Sequence, residues 1–249
     1  HYIDLDDYGD TGEETLPKFW NDAVDKFGED SLAAHGIVPW HIYRMYFRLR
    51  DAFMLGNPEQ IIRTSSELGH YIADANVPLH TTSNYNGQKT GQHGIHGLWE
   101  SRLPELFHGN YDLLTGQAQY IGDIQGAAWQ AVSGAHRSVD SVLTLEAFAT
   151  QRHDDHKYSF ESRARQTIKV YSVEFSDYYN TLLQGMVERQ MRASIKMVGS
   201  FWYTAWVDAG QPDLTKLIDY KPTDAELKKR QDELAAWKEG VLKAREHEN

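Results

Sequence analysis

The sequence predicts an all-α fold, and three observations support this prediction. Apolar residues recur with helical spacing along most of the 249 residues, whereas alternating apolar and polar runs are scarce. Proline and glycine stand at the expected starts and stops of these segments. The sequence shows no internal repeat and no low-complexity linker. We therefore expect one multi-helix domain that spans residues 1–249.

Start and stop signals place the helices along the chain. Asn57 is expected to cap a helix that has Pro58 in its first turn, and Pro78 is expected to end it. Thr223 and Glu226 form a capping box before the last helix. Together with the apolar periodicity, these signals predict helices over residues 16–27, 39–55, 58–77, 95–103, 113–132 and 137–150, one or two more over 162–206, and a last one over 224–246.

Composition limits the classes of function. No apolar run is long enough to span a membrane, and no signal sequence is visible in the chain. The net charge of -11 argues against a basic, phosphate-tracking surface. Bound metal ions can still supply local positive charge to an acidic protein. The chain has no cysteine, so zinc would have to be bound by imidazole and carboxylate groups.

One stretch of the chain has suitable ligands at suitable spacing. His70 and Asp74 are four residues apart, so a helix would present both from one face. His96 and Glu100 repeat this spacing, and His80 lies between the two pairs. Single matches to such a pattern are common by chance. The clustering of two pairs with an intervening histidine favours a metal site.

These residues carry a family resemblance. The segment from His70 to His80 resembles the H-x3-D-x5-H signature of bacterial zinc-dependent phospholipases C and of the single-strand-specific zinc nucleases of fungi and plants. His96 and Glu100 match the H-x3-[ED] continuation of that signature. The opening His1-Tyr2-Ile3-Asp4 resembles an upstream segment of the same families. The resemblance implies their shared helical fold and a site for three zinc ions.

The resemblance also implies a role for each matching residue. His1, His70 and Asp74 would serve the first zinc ion, and Asp74 would also reach the third and is the candidate catalytic residue. The second zinc ion would be bound by the remaining three ligands: His80, His96 and Glu100.

In these families an N-terminal tryptophan, a histidine and an aspartate precede the segment that matches His1. We expect such a segment upstream of residue 1, so the domain over residues 1–249 would lack it and would have one complete and one partial zinc site. Because relatives are exported, we expect a periplasmic or secreted protein.

The reaction implied by the resemblance is phosphodiester hydrolysis by zinc-activated water. A phospholipase C-like enzyme is favoured by the short interval between His80 and His96, by glutamate at position 100 and by the lack of cysteine. One alternative is a single-strand-specific nuclease or 3'-nucleotidase, and another is a noncatalytic helical metal-binding protein. The expected partner is a phospholipid or other phosphodiester, or single-stranded nucleic acid, without stable membrane insertion. The oligomeric state is left open.

Overall fold

The computed structural model describes residues 1–9, 12–163 and 166–238, and most of these residues are helical. This confirms the predicted helical class in broad terms. The α-helices are α1 (Gly12–Thr15), α2 (Trp20–Phe27), α3 (Glu29–His35), α4 (Val38–Leu55), α5 (Pro58–Ala75), α6 (Ile95–Gly97), α7 (Leu103–Phe107), α8 (Ile124–His136), α9 (Val139–His153), α10 (Val173–Leu182), α11 (Met186–Asp208) and α12 (Asp224–Lys238).

A small antiparallel hairpin departs from the predicted helices. Strand β1 (Tyr158–Arg163) pairs with β2 (Gln166–Tyr171), with Tyr158 opposite Tyr171. The predicted helix over 162–206 is therefore wrong up to Tyr171, and only the later part forms α10 and α11. The end of β2 is fixed by distant partners, because the Tyr171 carbonyl accepts a hydrogen bond from Arg102 Nε at 3.0 Å and its hydroxyl donates to the His93 carbonyl at 3.2 Å.

After a 3-10 turn over His108–Asn110, the segment between α7 and α8 is irregular rather than α-helical. The prediction of a helix over 113–132 is wrong up to residue 123, because the side chains of α11 take up backbone groups of this segment. Gln119 N donates to Ser200 Oγ at 3.1 Å and Ile121 N donates to Thr204 Oγ1 at 3.0 Å. These bonds replace the bonds that a helix would have made internally. Helix α8 begins only at Ile124.

The capping signals are confirmed. Asn57 Oδ1 accepts from Gln60 N at 3.1 Å at the start of α5. Thr223 and Glu226 exchange hydrogen bonds at the start of α12, as a capping box requires. Helix α12 is described to Lys238, so the remaining part of the predicted helix, 239–246, lies outside the described residues. None of the described helices is both long enough and apolar enough to cross a membrane.

Two groups of buried side chains form the core. The larger group joins the N-terminal segment with α4, α5, α8 and α11, and includes Trp40, Trp129 and Phe201. The smaller group joins residues 95–103 with α9, α10 and the end of β2. Helix α5 contributes Ile72 to the larger group, and the turn that follows it contributes Leu79 to the smaller. The predicted ligands lie on the elements at this junction.

Candidate metal centre

The last turns of α5 present the first predicted pair. His70 and Asp74 project from one side of this helix, and His70 Nε2 lies 3.3 Å from Asp74 Oδ2. Asp74 is buried, with only 6% of its side chain exposed, whereas 56% of the His70 side chain is exposed. Asp74 therefore lies at the buried side of the site, and His70 lies at the side that is open to solvent.

A 3-10 turn over Pro78–Thr81 presents His80. The turn is fixed from within by Thr81, whose hydroxyl donates to the Pro78 carbonyl at 2.7 Å. It is fixed from outside by the N-terminal segment, because Ile3 N donates to the His80 carbonyl at 2.9 Å. This backbone pairing brings His1 beside a histidine 79 positions further along the chain.

A widened helical turn presents the second pair. Between α6 and α7 the chain makes a π-helical turn over Leu98–Arg102, and Glu100 lies in its middle. Such wide turns are rare and occur often at functional sites. Around Glu100 the apolar side chains Leu98 and Trp99 are buried in the smaller core. The turn thus holds the carboxylate while its neighbours remain packed.

The first cluster consists of His1, His70 and Asp74. His1 Nδ1 lies 2.9 Å from Asp74 Oδ2 and 2.9 Å from His70 Nε2. The hydrogen bond to Asp74 raises the pKa of His1, burial opposes this rise, and the charge of Asp74 adds to it. All three ligand atoms lie within 4.8 Å of one another, so one cation fits among them.

The second cluster consists of His80, His96 and Glu100. The Nε2 atoms of the two histidines are 3.1 Å apart, and Glu100 Oε2 lies 3.4 Å from His80 Nε2 and 2.5 Å from His96 Nε2. Two imidazole nitrogens on a tetrahedral zinc ion would be about 3.3 Å apart, given Zn–N bonds of about 2.0–2.1 Å. The spacing of the two nitrogens fits such an ion.

The tautomer of His80 supports the same conclusion. Its Nδ1 lies 3.1 Å from the His1 carbonyl oxygen, which can only accept, so Nδ1 carries the proton. In the neutral ring, Nε2 then presents a lone pair towards His96 Nε2 and the Glu100 carboxylate. A proton or a cation must lie among these atoms to remove their repulsion. A histidine whose second nitrogen donates to a carbonyl is the usual arrangement of a metal ligand.

Asp74 and Glu100 provide the negative charge of the centre. Asp74 lies between the clusters, since its Oδ2 contacts His1 and its Oδ1 lies 3.6 Å from His80 Nδ1. Burial acts to raise the pKa of Glu100, but where a proton rather than a cation lies among these atoms, the hydrogen bonds and charges of His80 and His96 outweigh it and hold this pKa well below the ordinary range. Two carboxylates and four imidazoles are a donor set that zinc accepts.

Two residues beside the first cluster were not foreseen from the sequence. The Tyr71 ring packs against His1, with centroids 5.1 Å apart, and against His41 at 4.3 Å. Burial, together with the charges of Arg44, Arg48 and His1, lowers the pKa of His41 to about 4. His41 is therefore neutral at pH 7. The adjacency of Tyr71 to His70 in sequence was the one available signal.

A third group of possible ligands is Asp4, Asp7 and His35, which the sequence did not bring together. His35 Nδ1 lies 2.9 Å from Asp7 Oδ2, and Asp4 is buried. Lys89 Nζ lies 3.9 Å from Asp7 Oδ1, so part of the negative charge is already balanced. This group belongs to the 3-10 turn Leu5–Tyr8 and its neighbour α3, and none of its members is a member of the first or second cluster.

An apolar cavity of about 270 Å³ adjoins the second cluster, because Glu100 lies in its wall. Trp99 and Pro104 line it from the helix that contains Glu100, and Met191 and Ile195 line it from α11. Two of its polar wall residues are already bonded within the protein: Asn76 donates to the Ile72 carbonyl and Ser194 to the Gln190 carbonyl. The cavity is therefore suited to an apolar group.

Comparisons of this chain with protein-family models, with curated proteins and with solved structures gave no match.

Proposed function

We propose that this protein is a zinc-dependent hydrolase of phosphodiester bonds with a phospholipase C-like fold and activity. One observation carries the proposal: six residues selected by spacing and resemblance converge in two adjoining clusters. They come from four separate parts of the chain, namely the N-terminal segment, α5, the turn after it, and the helix that contains the π turn.

In this proposal, residues of the chain hold a first zinc ion, hold a second zinc ion and orient one of the ligands. His1, His70 and Asp74 would hold one zinc ion, and His80, His96 and Glu100 another. When bound, zinc supplies Lewis acidity, which withdraws charge from a phosphoryl oxygen and acidifies a water molecule. The His1 carbonyl fixes the orientation of His80.

Asp74 has a second role in the proposal, because it lies buried between the clusters. Its two oxygens face different clusters, so its position depends on both. Its carboxylate fixes the His1 ring and supplies negative charge where four imidazoles meet. We propose Asp74 as the catalytic residue within the described part of the chain, because its carboxylate lies at the point where the clusters adjoin.

The apolar cavity beside Glu100 supports a phospholipid over a nucleotide. Its wall combines aliphatic side chains with Met191, which adapts to irregular apolar groups. Trp99, in the same wall, is only 3% exposed and offers no ring face for a base to stack upon. The lipid part of a leaving group would be placed next to a zinc ligand.

Metal content after zinc loading and removal of excess zinc tests the metal centre directly. We expect the wild-type protein to retain zinc at both clusters, and His80→Ala and Glu100→Ala to lose the zinc of the second cluster. His93→Ala is the matched control, because His93 lies three residues from His96 but is exposed and outside both clusters. Retention of full zinc by both cluster variants would overturn the metal assignment.

Substrate tests separate the catalytic alternatives. A chromogenic phosphocholine ester and single-stranded DNA are incubated side by side with the zinc-loaded protein. Turnover of the ester supports the proposal, and turnover of DNA alone would favour the nuclease or 3'-nucleotidase. A zinc-loaded protein that cleaves neither would indicate a noncatalytic metal-binding protein.

A further inference from the structure

A second cavity, of about 240 Å³, lies between α4 and the irregular segment that precedes α8. Its size is below the roughly 300–1,000 Å³ of sites for drug-sized ligands, so it suits a small head group. Its wall is unusual because five aromatic rings and two carboxylates line it: Phe19, Tyr43, Tyr46, Phe47, Tyr120, Asp123 and Asp208. We call these seven residues the aromatic cage.

Several rings of the cage are open to solvent. Phe19 is 57% exposed and Tyr120 is 55% exposed, although large aromatic side chains are usually more buried. Tyr43 and Phe47 form an edge-to-face pair with centroids 4.9 Å apart, and both are only partly buried. Such exposed aromatic surface around a cavity indicates a binding site more than a core.

Asp208 supplies the charge of the cage. It is exposed, and its two oxygens accept hydrogen bonds from the hydroxyls of Tyr46 and Tyr120, the latter at 3.0 Å. Burial first, and then the bond to Asp208, raises the pKa of Tyr46, while that bond is the main cause of the raised pKa of Tyr120. Both tyrosines therefore remain donors at neutral pH and fix the carboxylate among the rings.

Among the described residues, none of those that line this cavity is basic. Arg50 is a basic group beside the cavity: it lies over the Phe47 ring at 4.7 Å and is paired with Asp51 at 2.8 Å. The charge of Arg50 is thus balanced outside the cavity. The cage keeps two carboxylates and several ring faces without a cation among its lining residues.

We propose that the aromatic cage binds a small organic cation with a quaternary or methylated ammonium head. The negative faces of aromatic rings attract such a cation, and its methyl groups pack against the rings without needing hydrogen-bond acceptors. Asp208 adds direct attraction at one side. A hydrated inorganic cation would instead require several free oxygen ligands, and both Asp208 oxygens already accept tyrosine protons.

The cage is separate from the metal centre, because no member of the first or second cluster lines it. Its occupation therefore does not depend on zinc or on hydrolysis. Tetramethylammonium and choline are the probes, and the neutral isostere 3,3-dimethylbutan-1-ol tests whether the charge matters. Binding is measured by isothermal titration calorimetry on the full chain, with and without zinc.

We expect both cations to bind saturably under each condition and the neutral isostere to bind at least about fivefold more weakly. Phe19→Leu and Asp208→Asn should each weaken binding about two- to fivefold. Phe160→Leu is the matched control, because Phe160 is 74% exposed but lies on β1, outside the cage. Equal binding of the isostere, equal loss in Phe160→Leu, or no saturable binding of either cation would overturn the proposal.

The same ammonium head can come from a free molecule or from a lipid. Sedimentation with phosphatidylcholine vesicles, with phosphatidylglycerol vesicles as the control, distinguishes these sources. Choline binding without sedimentation supports a free cation, and choline binding with sedimentation that Phe19→Leu abolishes supports a lipid head group. Sedimentation with phosphatidylcholine vesicles without choline binding would overturn the proposal that the aromatic cage binds the lipid head group.

Discussion

Lys157→Met should destabilise the protein strongly, because it leaves a buried carboxylate without its counterion. Glu146 is fully buried, and its Oε1 lies 2.7 Å from Lys157 Nζ. Thr150 Oγ1 and Gln92 Nε2 also donate to this carboxylate, at 3.0 and 2.5 Å. These neutral donors would remain in the variant, but the only cation paired with Glu146 among the described residues would be lost.

The magnitude follows from the burial. Removing one partner of a buried ion pair costs about 3–5 kcal/mol of the free energy of unfolding. In a chain of this size each kcal/mol shifts Tm by about 2–4 °C, so Tm should fall by roughly 6–20 °C. Changing Glu146→Gln in addition should restore at least about half of the loss, since no charge stays buried, the glutamine oxygen can accept from Gln92 Nε2, and its NH2 can donate to the Thr150 hydroxyl.

Urea unfolding followed by circular dichroism measures these differences for the wild type, the single variant and the double variant. Arg63→Met is the matched control, because Arg63 pairs with Glu67 at 2.9 Å on an exposed helix surface, where such a pair contributes less than about 1 kcal/mol. A loss below about 1 kcal/mol in Lys157→Met, or no recovery in the double variant, would refute the reasoning.

Three further predictions concern the elements around the metal centre. The pKa of His41 is lowered to about 4 in the folded protein, so the unfolded chain binds a proton at this residue first as pH falls below about 6.5. The free energy of unfolding of the zinc-free protein should therefore fall by about 1–2 kcal/mol between pH 7 and 4, a value discounted for partial exposure. In pH-dependent urea unfolding, His41→Phe should show a smaller fall. Asn57→Ala should cost about 1 kcal/mol in the same assay, whereas Asn57→Asp should not, because it keeps the cap of α5. Gly36→Ala should lower both stability and zinc retention, since Gly36 has φ of +89° and a Cβ would lie 2.2 Å from the carbonyl oxygen of Tyr2, next to His1; unchanged zinc content would contradict this link.

Local signals in the sequence were sufficient for the ends of several helices. The Asn57 cap and the box of Thr223 and Glu226 involve residues three positions apart, so their hydrogen bonds depend on little beyond the local chain. The bounds of α4 and α5 followed from the same kind of signal. These features need no knowledge of the rest of the fold.

Non-local bonds explain the errors in the predicted secondary structure. The segment before α8 is irregular because Ser200 and Thr204, about 80 positions away, accept hydrogen bonds from its backbone N–H groups. The end of β2 depends likewise on Arg102, 69 positions away. Neither partner can be identified from periodicity, which reports the local backbone only.

The candidate site also combines residue pairs that local spacing predicts with contacts that depend on distant parts of the chain. Spacing alone placed His70 with Asp74 and His96 with Glu100, because each pair lies on one helical turn. The approach of His1 to His70, and of His80 to His96, depends on the pairing of the N-terminal segment with the turn after α5. The sequence suggested this grouping through resemblance, and the side chains that complete it, such as His41 and Tyr71, were found only from the structure.

The π turn over Leu98–Arg102 has a consequence for how this chain can vary. A π turn takes one residue more than a turn of an ordinary helix, so deleting one residue within it restores an ordinary turn and leaves the helix after it close to its present direction. Glu100 lies in this turn, so its carboxylate would move relative to His96 even where Leu103 keeps its place in the core. The wide turn therefore separates two helical registers, one set by the ligands and one by the core. Single-residue deletions here should be tolerated far less than in the exposed loop around Gly91.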